Sequence, residues 1–340
     1  MHTSDPNQLF VLTRGMHTKL CRIKDGRIVD LAPMSFPAGG YFSLSDSGWI
    51  ACITKKGRNI SITRLESNEK LIHFNNISLP EKYSARAIAI VENILYVGGY
   101  CGEELLLSIH LNDEQKNWVS LDVPSNLKRE GKSIDDLLID GKKLVAVDNI
   151  VFPKWLLVYD ITSPELPELE CAKEIPDHGT YEHIVMGAVG TNWIALLSST
   201  AGEGGAGAHI AIFDKNSMKE CFCLSRQTSI YSITGRDNTE VMDEKNKWNR
   251  IAFLDDLLMI SSGKRGIGVL DLSNIQKPGA SRKEKEWNVE KHLHYVFPQN
   301  LPEGSVLRII PYQSTKEIIV EMNVLEGNQA TVLTKKDLFT

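Results

Sequence analysis

Two histidines spaced two apart, His292 and His294 in KHLHYVF, are the residues whose spacing most suggests metal chemistry. On a strand, positions i and i+2 face the same way, so both imidazoles could approach one ion. No third ligand follows at a matching spacing, and a polar strand face explains the pair equally well. His178, Glu182 and His183 in DHGTYEHIV have the residue types of an acid–base cluster, yet they match no hydrolase pattern. The run Gly202-Glu203-Gly204-Gly205-Ala206-Gly207 invites a phosphate-loop reading. A phosphate cradle needs its glycines to lead into a helix N-terminus, and here the next segment, HIAIFD, is a strand pattern. A hairpin loop is the expectation. The acid pairs Asp135-Asp136 and Asp255-Asp256 are read as equivalent regions of two repeats. Neighbours on a strand point to opposite faces, so neither pair makes a cooperating dyad, and turn roles are expected instead. No GxSxG nucleophile elbow occurs. These residues assign no catalytic group, no cofactor and no metal.

The elements that would have to position any site are short β-rich segments separated by Gly, Asp, Asn, Ser and Pro. One unit recurs: a strand, a tight turn, a second strand, a looser loop, and a third strand ending in an acid. Its second strands begin near Ile50, Leu95, Leu144, Ile194, Leu258 and Ile318, at steps of 45, 49, 50, 64 and 60 residues. An earlier copy of that strand, LFVLT, starts at Leu9. Repeats of about 40–50 residues with four short strands each mark propeller blades. A parallel α/β fold would need helical stretches between the strands, and helical periodicity is nearly absent. Asp25-Gly26 and Asp140-Gly141 stand where tight hairpins need positive φ. The expected fold is all-β, a single seven-bladed β-propeller over 1–340, with six blades as the alternative if the partial units at the two ends merge.

Two stretches, WLLVYDITSPELPELE from Trp155 and GIGVLDLSNIQKPGA from Gly266, resemble the LVIVD-type repeat of bacterial propellers. In that repeat an apolar strand ends in Asp, followed by a short turn and Pro. The period of the whole chain is similar to that of WD40-like propellers, although no GH…WD pair recurs at blade spacing. The resemblance implies a fold and no particular activity.

In a four-stranded blade the loops joining second to third strands emerge at one face. Those loops read TRGMHT, TKKGRN, GGYCGEE, DNIVFPK, SSTAGEGGAGA, SSGKRG and NVLEGN. They put Arg14, Lys55, Lys56, Arg58, Lys264 and Arg265 on one arc, opposite Glu103, Glu104 and Asp148. A face divided into basic and acidic arcs suits the steering of a charged partner. The segment 225–249 is long for a loop and holds Tyr231 and Trp248 among charges, a mix suited to packing on a partner. The insertion 277–290, with its RKEKE run, is read as a solvated excursion.

Composition bounds the rest. The 340 residues carry 38 basic and 43 acidic side chains, a net charge of −5, which disfavours a nucleic-acid binder working by bulk positive charge. No charged n-region followed by an apolar run opens the chain, and no apolar run nears the roughly 20 residues of a membrane helix. Six scattered cysteines, only Cys221 and Cys223 close together and without CxxC spacing, suit reduced thiols in the cytoplasm. The expected function is a non-enzymatic platform, monomeric alone, that binds an acidic protein partner through the basic arc, Tyr231 and Trp248. The alternative is a propeller hydrolase or lactonase-like enzyme with a central-channel site.

Overall fold

In the computed structural model, sequential antiparallel hairpins build every sheet. The structure describes all residues except 1–8, 15–16, 26, 35–40, 46, 54–56, 68, 75, 101–103, 114–116, 129–131, 150–152, 177–181, 203–204, 229–247, 249, 274, 276–291, 314, 325–326 and 340. The chain divides into two units, Met1–Ile175 and Pro176–Thr340.

The first unit holds four sheets. One contains β1 (Leu9–Arg14), β2 (His17–Lys24) and β3 (Arg27–Met34). The second contains β4 (Phe42–Leu44), β5 (Trp49–Ile53), β6 (Asn59–Leu65) and β7 (Leu71–His73), with β8 (Ile77–Ser78) also on β6. The third runs β9 (Ser84–Val91), β10 (Ile94–Tyr100), β11 (Leu106–His110) and β12 (Val119–Ser120). The fourth runs β13 (Ile134–Asp140), β14 (Lys143–Asp148), β15 (Lys154–Asp160) and β16 (Glu168–Ile175).

The second unit begins with the fifth sheet, β17 (Glu182–Val189), β18 (Trp193–Gly202), β19 (Gly205–Asp214) and β20 (Lys219–Thr228). The sixth holds β21 (Arg250–Leu254), β22 (Leu257–Ser261), β23 (Ile267–Asp271) and β24 (His294–Val296). The seventh has three strands, β25 (Ser305–Tyr312), β26 (Glu317–Val324) and β27 (Gly327–Thr334).

This is the all-β β-propeller architecture, and the only helices among the described residues are 3-10 turns at Ser125–Leu127 and Lys335–Leu338. Seven complete blades are not built. Five sheets have four or more strands, while the chain's first and last have three each. The six-blade alternative, which counts those two partial units as one blade, accommodates that census. A second correction concerns Leu9, which opens the first strand of its sheet rather than the second. The other six predicted second strands, β5, β10, β14, β18, β22 and β26, are second in their sheets.

Strands apolar on both faces arise where a sheet, such as the third or the sixth, is packed on two sides. In β10, Leu95 and Val97 enter the core shared with the second sheet, while Ile94 and Tyr96 enter the core shared with the fourth. In β22, Leu258 and Ile260 face the fifth sheet, and Leu257 and Met259 face the seventh. The period of two thus divides one strand between two cores, each buried side chain contributing roughly 1.5–3 kcal/mol. Tyrosines staple neighbouring sheets: Tyr96 donates its hydroxyl to Pro164 O at 2.5 Å, and Tyr159 to Asp122 O at 2.9 Å.

The acid that closes several third strands has a local cause. Asp160 accepts the Thr162 N–H at 2.7 Å, Asp271 that of Ser273 at 2.9 Å, and Asp214 that of Ser217 at 2.8 Å. Each carboxylate satisfies a turn donor as the chain leaves the sheet. Hydrogen bonds from Thr162 hold the Asp160 carboxyl below its usual range. For Asp271, burial pushes the carboxyl up, but the two bonds from Ser273 outweigh it and hold it low.

The thiols give a prediction. Cys52 is buried and Cys171 half-buried, and burial pushes the Cys52 thiol up to about 12. The thiolate is the reactive form, so Cys52 should resist maleimide in the native protein while half-buried Cys171 labels earlier. Mass spectrometry after timed labelling checks this, and early modification of Cys52 would contradict its burial.

Candidate functional site

The ends of the sheets that carry the second-to-third-strand hairpins are shaped by a repeated backbone irregularity. A β-bulge interrupts the first strand at Arg86 in β9, Asp135 in β13, Val185 in β17 and Leu307 in β25. Bulges re-aim side chains at sheet ends, and sequence reading misses them because one extra residue leaves the apolar pattern nearly intact.

In the first unit the bulge at Arg86 makes a surface feature. Its guanidinium lies 5.5 Å over the ring of Tyr100, and both residues are exposed. A cation–π contact in such a place contributes about 0.5–1 kcal/mol and presents the guanidinium in one pose. Gly99 permits the arrangement, since a Cβ there would meet Ser84 O at 2.2 Å. On the neighbouring sheet, Gly57 at φ +64° accepts the Ala85 N–H at 2.8 Å, which brings exposed Arg58 to the same end. Exposed Tyr41 precedes β4 at that end.

The fourth sheet carries a buried polar knot at the corresponding end. Lys132 Nζ lies 2.6 Å from Asp148 Oδ2, with neither side chain exposed, and it also donates to Pro153 O. The second carboxylate oxygen of Asp148 accepts the Ser133 N–H at 3.4 Å. At the bulge, Asp135 accepts Ser133 Oγ–H at 2.5 Å and Asn149 Nδ2–H at 3.1 Å. Burial raises the Asp148 carboxyl above its ordinary range, and the Lys132 partner opposes that rise. With both ions wholly enclosed, the knot ties Lys132, Ser133 and Pro153 to the end of β14 rather than meeting a substrate.

In the second unit the hairpin from Ser262 to Gly266 closes on itself, Arg265 N–H donating to Ser262 O at 3.1 Å and Ser262 N–H to Gly266 O at 2.9 Å. Lys264 and Arg265 are exposed at its tip. The Arg265 guanidinium sits 5.6 Å over the Tyr295 ring, and the Tyr295 hydroxyl accepts the Trp248 Nε1–H at 3.2 Å. Gly266, at φ +86°, has Val296 O only 2.3 Å from where a Cβ would stand and packs beside exposed Phe297.

The predicted residues fall unequally on this geometry. Arg58, Lys264 and Arg265 are exposed at second-to-third-strand hairpins, as expected. Arg14 is not at such a hairpin: it ends β1 and pairs with His17, in a first-to-second-strand turn at the opposite end of its sheet. Lys55, Lys56 and Tyr231 lie outside the described residues, as do Glu103, His178, the insertion 277–290 and most of the loop expected at 225–249. The start of that loop, Ser225–Thr228, instead continues β20 in register with β19. Trp248 is buried, at 6% exposure, among Trp193, Phe222 and Ile251. The structure links it to Arg265 through Tyr295, which sequence reading did not single out although it stands between His294 and Phe297. Asp148, expected on an acidic arc, is interior.

The remaining candidates resolve locally. Asp135-Asp136 lies at the start of a first strand and Asp255-Asp256 in the turn after one, so the pairs are not equivalent. Asp255 binds Lys316 at 2.6 Å, and Asp256 accepts from Asn192 Nδ2 at 2.7 Å, tying adjacent sheets together. His294 is in β24 and His292 precedes it, both exposed. Glu182 and His183 lie in β17 opposite Thr200 and Ser199. Among the described residues no group of three His, Cys, Asp or Glu side chains could hold a metal ion.

No protein-family model matches the sequence, and no curated protein sequence matches it. Among solved structures the chain is similar to Kuenenia stuttgartiensis hydrazine synthase, with a TM-score of 0.60 and 12% identity over 98% of each chain. At that identity the likeness shows a shared β-propeller fold and nothing of activity.

Proposed function

We propose that this protein is a non-enzymatic interaction platform, a single β-propeller working in the cytoplasm, which binds an acidic protein surface through its second-to-third-strand hairpins. The observation that supports this is the presentation of exposed arginines on tyrosine rings, Arg86 on Tyr100 and Arg265 on Tyr295, with Arg58 and Lys264 exposed at equivalent hairpins. Tyr and Arg are the residues that most often carry binding energy at protein interfaces, and a ring-held guanidinium loses less freedom on pairing with a carboxylate. Hairpin ends on a rigid β-scaffold are where binding residues tend to be placed.

The test is the joint variant Arg58→Ser/Lys264→Ser/Arg265→Ser, with Lys142→Ser/Lys143→Ser at the opposite hairpin ends as control. Immobilised wild-type protein should retain an acidic partner that the triple variant loses, the loss being largest at low ionic strength where charge steering is unscreened. Melting temperatures of all three proteins should agree. Equal retention by wild type and triple variant at low salt would remove the basis for this surface.

A further inference from the structure

We infer that Met186 is a site of oxidation by hydroperoxides, its sulfoxide oxygen being received by the Ile251 N–H and the Arg250 guanidinium. All three residues belong to the second unit. β17 is bulged between Ile184 and Met186, and bulges re-aim the side chains beside them. The half-buried Met186 side chain packs on the core of the fifth and sixth sheets. Its sulfur accepts the Ile251 N–H at 3.4 Å, and the exposed Arg250 guanidinium donates towards it from 3.9 Å.

A thioether sulfur is a weak acceptor. A backbone amide and a cationic donor thus converge on a group that gives little to either. A sulfoxide oxygen on the same sulfur would accept from both, and its bond to the guanidinium would be charge-assisted. Access differs from that of the enclosed methionines, since Met218, Met259 and Met322 are only 6%, 0% and 0% exposed.

The step balances with a hydroperoxide as the one co-reactant. A sulfur lone pair attacks the terminal oxygen, and the S–O bond forms as the O–O bond breaks. The proton on the attacked oxygen passes to the departing one. Sulfur is oxidised by two electrons, and the peroxide is reduced to an alcohol, or to water when it is hydrogen peroxide. The Arg250 guanidinium, on the exposed side of the sulfur, stabilises the departing oxygen and then holds the new one. A sulfoxide formed in a core ordinarily disrupts packing, because an apolar side chain becomes polar. Here two donors already face the sulfur, so oxidation strengthens the tie between β17 and β21. Arg250 pairs in register with Ser261, next to the hairpin that carries Lys264 and Arg265, so the change falls at that end of the sixth sheet. The inference holds whether or not that end binds a partner.

Mild hydrogen peroxide treatment of the full chain, followed by peptide mass mapping and thermal unfolding, tests this. In the wild type Met186 should gain one oxygen while Met218, Met259 and Met322 stay unmodified. Wild type and Arg250→Ala are each compared with the same protein carrying Met186→Leu, which subtracts the effect of the other methionines. The remaining shift in melting temperature should be more favourable in the wild type than in Arg250→Ala, by a few degrees. Hydrogen exchange adds an independent readout: the Ile251 amide should exchange more slowly after oxidation of the wild type and unchanged in Met186→Leu. A Met186 that stays reduced would overturn the inference. So would a shift in the wild type no better than that in Arg250→Ala, or an Ile251 amide that exchanges no more slowly once Met186 is oxidised.

Discussion

Lys132→Met should cost about 3–5 kcal/mol of unfolding free energy, because it leaves the Asp148 carboxylate enclosed with no cation beside it. Neither member of the pair has any exposed side-chain surface, so water cannot take over the lost contact. The double variant Lys132→Met/Asp148→Leu should recover much of that loss, since apolar replacements of a whole buried pair are often near neutral. The pH dependence carries a sign. Burial holds the Asp148 carboxyl above its ordinary range, and the Lys132 partner opposes it; the single variant removes that opposition. An acid whose folded pKa is raised takes up its proton in the folded chain first, so its contribution improves as pH falls and is lost as pH rises through the raised value. The gap between wild type and Lys132→Met should therefore narrow from neutral to mildly acidic pH. Urea unfolding of the three proteins at both pH values checks each part, and a double variant as unstable as the single would contradict the pair's isolation.

Trp248→Ala should also cost about 3–5 kcal/mol, the usual range for truncating a buried tryptophan. The indole fills the core between the fifth and sixth sheets, and its N–H is donated to Tyr295. Trp248→Phe should cost less, keeping most of the apolar volume but losing that hydrogen bond. Sequence alone places Trp248 in a partner-facing loop, where its truncation would weaken binding by a salt-insensitive route. Burial reverses the expectation: the melting temperature should fall, and any loss of binding should follow from the loosened Tyr295 ring beneath Arg265. Thermal unfolding beside partner retention separates the two, and an unchanged melting temperature would restore the loop reading.

Local chemistry made much of the fold legible. Strands such as β10 and β22 are readable because a two-residue period filled with Ile, Leu and Val on both sides has few outcomes other than a sheet packed on both faces. The hairpins were legible where short turns demand positive φ, as at Asp25 (φ 51°) and Gly141 (φ 56°). The third-strand acids were visible too, because Asp160 and Asp271 bond to residues only two positions on. Exposure of Arg58, Lys264 and Arg265 followed from hairpin topology alone. In each case the determining partner lies within a few residues.

What escaped the sequence depends on partners far along the chain. The place of Arg14 turned on whether Leu9 opens a first or a second strand, and both have the same apolar pattern. Asp148 reads as a surface acid until Lys132, sixteen residues earlier, closes on it. Trp248 reads as a loop aromatic until Tyr295, 47 residues later, receives its N–H. The bulges that aim Arg86 and Asp135 change pairing without changing composition. The sequence by itself determined a chain of apolar hairpins with basic tips, because strand period and turn chemistry are local. Only the tertiary structure decided which charges are enclosed and which aromatics are core, because those depend on which sheet packs against which.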